Sequence, residues 1–312
     1  MAGFIYLLFL LLFMDKDYIA DLKKAGKIHQ EVKAFAKSIV KKGVPLLEIA
    51  DKVDAKIKEL GATTAFPINL SINEVAAHYT PTYDDKTLAS GLLKVDIGIC
   101  VNGAIADCAF SVDLDNSDIN KKLIEASRAG LEAAMRTAKF GVTLGDLGRS
   151  IQDAIVSRGF SPIKNLCGHQ VDRFVVHAGQ TVPNYDNGSN VKMVESGYAI
   201  EPFVTTGTGL VFEGKPSNIY RLVNKKNVRD MLAREIILFI DKEYNGLPFA
   251  SRWVVKKFGP RAVLSMSILE REGILYHYPQ LVEKSREPVA QSENTLLILK
   301  DKTEVMTEDF KI

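Results

Sequence analysis

Five side chains able to bind metal stand in short strings spread along the chain: Asp96 in VDIGIC, Asp107 in ADCAF, His169 in GHQVDRFVVH, Glu201 in AIEPF and Glu293 in AQSENT. Four carboxylates and one imidazole make an oxygen-rich set, better suited to a pair of hard or borderline divalent ions than to one structural zinc. Two such ions about 3.5–4 Å apart can polarise a shared water and bring its pKa toward neutrality, which is the chemistry of a hydrolase.

Local geometry already relates the first two carboxylates. The alternating stretch from Val95 to Leu114 is broken at Asn102-Gly103, the strongest short hairpin signal. A type I′ turn there sets Val101 opposite Ala104, Gly98 opposite Asp107 and Asp96 opposite Ala109. With side chains alternating at period two, Asp96 and Asp107 fall on one face, diagonally related and roughly 7–8 Å or less apart. Their small same-face neighbours Gly98 and Ala109 are expected to leave room for ions.

The elements that must carry these residues show a repeat. From Asp17 to about Gly61 the apolar spacing is helical, interrupted at Gly43-Val44-Pro45. The string GVPLLEIADKVDAKIKELG (43–61) aligns without gaps to GVTLGDLGRSIQDAIVSRG (141–159), and a long helical pattern precedes each copy. Two copies point to an internal duplication, since a solenoid needs three or more. Strand patterns follow each helical pair, so the expected class is α+β with pseudo-twofold symmetry. Residues 210–275 break this pattern. They are rich in Lys and Arg, show helical stretches at Val228–Asp241 and Ser251–Phe258, and read as an inserted helical subdomain ending in a helix, turn and strand. Their basic face is a candidate contact for ribosomal RNA through phosphate attraction; the plainer reading is a solvated surface.

Composition narrows the class. A chain of 312 residues with 46% hydrophobic and 25% charged residues is ordinary for a globular protein, and a net charge of +2 gives no general reason to bind DNA or membrane. The cysteines, Cys100, Cys108 and Cys167, are odd in number and lack metal-type spacing, which fits a reducing, cytoplasmic setting. The apolar run Ala2–Phe13 conflicts with that. It is shorter than a bilayer span and has neither a basic leader nor a small-residue cleavage site. Met14 is therefore expected to be the true start, with residues 1–13 an over-extended gene reading, the alternative being a weak membrane tether.

Together with FPINLSINEVAAHYTP (66–81), the five strings occur in an order that resembles methionine aminopeptidases, specifically the type II, archaeal-like branch of the pita-bread metallopeptidase superfamily. The resemblance covers essentially everything after Met14. It implies a pita-bread catalytic domain over 14–209 and 276–312, with the type II insertion at 210–275. It further implies two divalent ions (Co, Mn, Fe or Zn) held by Asp96, by Asp107 and Glu293 as bridges, and by His169 and Glu201. Glu201 would double as general base, His78 and His177 would flank the scissile amide, and Phe66, Val176, Phe203 and Tyr278 would wall the methionine pocket. His29 and His277 have no such context and are expected to be structural or surface residues. Cys167 departs from the family, which often has Asn at that position; this puts the fine shape of the pocket in doubt.

The implied activity is removal of initiator methionine from nascent chains with a small second residue, in the cytoplasm; with no strongly apolar surface helix to suggest a dimer, a monomer is expected. The same five ligands would also serve a proline-specific aminopeptidase or prolidase. Those relatives usually carry a sizeable amino-terminal domain and no type II insertion. A non-catalytic ribosome- or RNA-binding homologue is a further alternative, and such homologues lose ligands.

Overall fold

The computed structural model describes residues 15–308, so the apolar stretch at 1–13 and the expected start at Met14 lie outside the described residues. The chain begins with α1 (Lys16–Ile39), α2 (Leu46–Glu59), β1 (Thr63–Ile72), β2 (Val75–Ala77), β3 (Leu92–Val101) and β4 (Ala104–Asp113). There follow α3 (Asp118–Thr137), α4 (Leu144–Val156), β5 (Ser161–Pro162), β6 (Cys167–Asp172), β7 (Val175–Pro183), β8 (Ser196–Ile200) and β9 (Phe203–Thr205). The last part holds β10 (Val211–Leu222), α5 (Met231–Tyr244), β11 (Phe249–Ala250), α6 (Ser251–Phe258), α7 (Ala262–Arg271), β12 (Leu275–Glu283), β13 (Val289–Gln291), β14 (Asn294–Ile298) and β15 (Thr303–Val305). Among the described residues, no helix is long and apolar enough to cross a membrane.

The two halves repeat down to single hydrogen bonds. Gly43 and Gly141 turn the chain at φ 82° and 83°, a left-handed conformation that glycine adopts without a Cβ penalty. The Gly43 amide donates to Ala89 O at 2.8 Å and the Gly141 amide to Met193 O at 3.0 Å; Ala89 and Met193 donate back to Val44 O and Val142 O at 2.9 and 2.8 Å. Matching isolated bridges join Pro45 to Leu88 and Thr143 to Lys192. In the first half, Leu46, Ile49, Val53 and Ile57 of α2 are buried with Leu70, Val95 and Ile97 of the β1-β3-β4 sheet. In the second half, Leu144, Leu147, Ile151 and Ile155 of α4 are buried with Tyr198, Ile200 and Leu296 of the β15-β14-β8-β6-β7 sheet. Each helical pair thus hides its apolar stripe on its own sheet, and this burial is the dominant stabilising term.

The 210–275 block differs in detail from its sequence reading. Residues 211–222 form a strand, β10, which pairs antiparallel with β12 from Val211–Glu283 to Leu222–Leu275. Its Gly214 and Pro216 obscured this, because both residues weaken a strand pattern; Pro216 faces Pro279 beside a register shift. The first helix begins at Met231, not Val228, because Asp230 is its N-cap and accepts from the Ala233 amide at 2.6 Å. Helices α5, α6 and α7 enclose a core of their own around Ile236, Ile240, Phe249, Val254 and Leu269. β12 also pairs with β2, which ends one residue before His78.

Candidate active site

The β3–β4 hairpin turns at Asn102 and Gly103 with both φ values positive, 50° and 90°, as a type I′ turn requires. Its register pairs Val101 with Ala104, Gly98 with Asp107 and Asp96 with Ala109, the expected alignment. The space expected beside Gly98 is filled: β1 sets Phe66 opposite Gly98, and a Cβ on Gly98 would collide with the Phe66 ring. Glycine here makes room for an aromatic wall.

The second half contributes the other three ligand-type residues. His169 lies on β6, Glu201 directly follows β8, and Glu293 directly precedes β14. His169 Nε2 is 3.8 Å from Asp107 Oδ2 and 4.0 Å from Glu201 Oε1. One donor atom each from Asp107, His169 and Glu293 lie within 4.8 Å of one another, and these residues are 2%, 5% and 1% exposed. The halves are stitched at this point. Thr295 Oγ1 accepts from the Asp107 amide and donates to the Asp107 carbonyl, both at 2.7 Å, and the Glu293 amide donates to Ala109 O at 3.0 Å.

The electrostatics call for a cation. Burial lifts the Asp96 carboxyl to about 7. Burial, and then the charges of Asp96 and Glu201, lift Asp107 well above the carboxylate range. Burial and the neighbouring acids raise Glu201 and Glu293 likewise. Asp96 Oδ1 and Asp107 Oδ1 are buried without a hydrogen-bond partner among the described residues. Burial, with His177 next, pulls His169 down to about 3, so its imidazole is neutral. His169 Nδ1 lies 3.2 Å from Gln170 O and must donate to it, which leaves the Nε2 lone pair facing the acids. Orphaned acid oxygens and a free imidazole lone pair fit a hard or borderline divalent metal.

All eleven residues singled out in the sequence line one cavity of about 140 Å³. His78 sits in it at φ 67°, an unfavourable conformation for a non-glycine residue. Its Nδ1 is 3.2 Å from Pro279 O and therefore donates, so Nε2 is the acceptor. Burial, then His177, lowers its pKa to about 4 and keeps it neutral. His177 is exposed at the mouth, edge-on to His169 at 4.4 Å between ring centroids. Phe66, Val176 and Phe203 are buried apolar walls, and Tyr278 meets His78 edge-on at 5.8 Å.

Cys167 also lines the cavity, half-buried, and burial and then Glu201 push its thiol up. His29 and His277 lie elsewhere. His29 is fully buried and donates from Nε2 to Ile97 O at 2.8 Å, and His277 stacks on Tyr220 at 3.9 Å. Sequence reasoning missed Gln291. Its Nε2 donates to Glu201 Oε2 at 3.2 Å and to Glu293 Oε2 at 3.4 Å, so one neutral amide bridges the two acids. Its position two residues before Glu293, inside AQSENT, was the available signal.

Residues 20–229 match the family described as Metallopeptidase family M24. The methionine aminopeptidase of Pyrococcus abyssi is 44% identical over 95% of this chain and 100% of its own length. Among solved structures, a thermophilic Arx1 is similar at TM-score 0.82 and 15% identity, covering 94% of this chain and 91% of that one. A methionine aminopeptidase from Thermotoga maritima gives TM-score 0.68 and 22% identity, covering 95% and 98%. At these identities the two structures speak to the fold alone.

Proposed function

Because the chain belongs to metallopeptidase family M24, we propose that the cleft between its halves removes the initiator methionine of nascent chains with a small second residue, using two divalent ions. The chain is a metal-dependent aminopeptidase that removes N-terminal methionine, on an α+β pita-bread fold. The observation that carries the finer reading is the buried cluster of Asp96, Asp107, Glu201 and Glu293, whose mutual repulsion no lysine or arginine offsets through an ion pair among the described residues.

Asp96, Asp107, His169, Glu201 and Glu293 would hold the ions; Co, Mn, Fe and Zn all suit such donors. When bound, the pair supplies Lewis acidity and a water acidic enough to attack at neutral pH. The residues themselves do the rest. Glu201 would take the proton of the attacking water. Neutral His78, committed at Nδ1 to Pro279 O, offers Nε2 to the scissile N–H, and His177 reaches the same amide from the mouth. Phe66, Val176, Phe203 and Tyr278 take an unbranched apolar side chain, with aromatic contacts to sulfur contributing roughly 0.3–1.5 kcal/mol. The 210–275 block is read as the type II insertion, and the enzyme as a cytoplasmic monomer acting on emerging N-termini.

The test is release of free Met from a Met-Gly-led tetrapeptide, beside an Xaa-Pro dipeptide, by chelated protein before and after Co²⁺ or Mn²⁺, with Asp107→Asn alongside. Metal-dependent Met release that the variant lacks supports the reading. Cleavage of the proline substrate alone would transfer it to proline-specific chemistry, and cleavage of neither, with two ions bound, would leave a binding protein.

A further inference from the structure

The catalytic cleft does not end at His177. A second cavity of about 170 Å³ opens beside it, sharing Val176, His177, Pro248 and Tyr278 with the first. Its outer wall adds Phe174, Val175 and Leu247, and one charged side chain, Arg221 on β10. Arg221 is exposed and lines this cavity beside Tyr278 and His177, and burial, then the Arg221 charge, holds the His177 imidazole down. Among the described residues no acidic side chain forms an ion pair with it. The site thus carries a cation beside Tyr278, a wall of the methionine pocket, and next to an apolar recess.

We propose that this side cavity is the subsite for the third residue of the substrate, and that Arg221 gives the enzyme a preference for an acidic side chain there. The inference rests on the aminopeptidase reading. With methionine in the inner pocket and the scissile amide between His78 and His177, the second residue occupies the junction that the two cavities share. The chain advances at most about 3.3–3.6 Å per residue, so the third residue is the first to reach the outer recess. Apolar walls at Phe174, Val175 and Leu247 lower the local dielectric and cover the aliphatic stem of a Glu or Asp, while the guanidinium can take its carboxylate in bidentate fashion. A lysine in the same place would meet Arg221 as a like charge.

The experiment uses C-terminally amidated Met-Gly-Asp-Gly, Met-Gly-Gly-Gly and Met-Gly-Lys-Gly with the metal-loaded enzyme, its Arg221→Glu and its Arg221→Lys forms. The readout is the ratio of kcat/KM between peptides within each protein, which is insensitive to a general loss of activity. One partly screened ion pair sets a ratio of about three- to tenfold for Asp over Lys in the starting enzyme, shrinking as salt is raised. Arg221→Glu should reverse the order and Arg221→Lys should keep it. An Asp-to-Lys ratio that is the same in Arg221→Glu as in the starting enzyme, with Met still released from Met-Gly-Gly-Gly, overturns the subsite and leaves the aminopeptidase reading standing. Absence of Met release from every peptide overturns both.

Discussion

Arg252 should prove to be the residue through which the helical block acts on the chemistry. It is 3% exposed on α6, and its Nη2 donates to Asp54 Oδ2 of α2 at 2.7 Å while Nη1 donates to Thr80 Oγ1 at 2.6 Å. Thr80 lies two residues after His78 and has two other anchors: its amide donates to Ser217 O at 3.3 Å, and Asn218 Nδ2 donates to its carbonyl at 3.2 Å. Arg252→Ala strands a carboxylate and an interior hydroxyl. Breaking a buried ion pair costs about 3–5 kcal/mol, and the low end applies because Asp54 is 19% exposed and still accepts from Trp253 Nε1. About 3 kcal/mol should be lost, and Asp54→Asn in the same background should recover roughly 1 kcal/mol by removing the stranded charge. The assay is urea unfolding of the chelated protein by far-UV circular dichroism, because the single tryptophan, Trp253, belongs to the network being broken. With one of the three anchors of Thr80 gone, His78 two residues before it should drift enough to lower kcat about tenfold, since a 1 Å misplacement can cost about 10²-fold. Metal affinity should hold. A loss under about 1 kcal/mol with kcat unchanged would refute the reasoning, and an equal fall in metal affinity would mean general damage.

Three further outcomes follow from the same geometry. Added Co²⁺ or Mn²⁺ should stabilise the chelated protein by about 2.7 kcal/mol at 100 times Kd, read as a concentration-dependent Tm, and Asp107→Asn should abolish most of the shift. His78→Ala removes the acceptor for the scissile N–H and should lower kcat about 10²-fold with KM changed far less, measured on Met-Gly-Gly-Gly. His29, buried and neutral, has its pKa lowered to about 4 by desolvation. The unfolded chain therefore binds the extra proton first, and stability should fall by about 3 kcal/mol as pH drops from about 6.5 to 4, a slope that His29→Gln should flatten in unfolding curves.

What the sequence disclosed depended on how local each signal was. The Asn102-Gly103 turn fixes the register of β3 and β4 through two adjacent residues, so Asp96 and Asp107 could be related to each other before any tertiary contact was known. The duplication was equally legible, because Gly43-Val44 and Gly141-Val142 repeat the same bonds to a segment some fifty residues on, just ahead of a strand. Contacts between distant segments left no such mark. Phe66 fills the space over Gly98 from a neighbouring strand, so the small residue read as room for ions is in fact occupied. Gln291 stood in a quoted string, yet its bond to Glu201 spans 90 positions. Arg252 reaches Thr80 across 172 and Asp54 across 198, and in sequence it was one more basic residue in a basic block.

These contacts divide the control of the site between two parts of the fold. The five acid and imidazole groups stand on or next to strands whose registers are set by the duplicated halves, with Thr295 pinning both backbone groups of Asp107 across the boundary. Sites built on regular elements hold their geometry closely. His78 is different. It follows a three-residue strand, adopts a left-handed backbone, and depends on Pro279, Thr80, Asn218 and Arg252, all but Thr80 supplied by the helical block or the strand that returns from it. Damage to the halves should therefore appear first as lost metal, while damage to the block should appear as lost turnover with the metal retained. That separation gives the block a catalytic consequence even though, of the eleven site residues, it supplies none within 210–275 and only Tyr278 on the strand that leaves it.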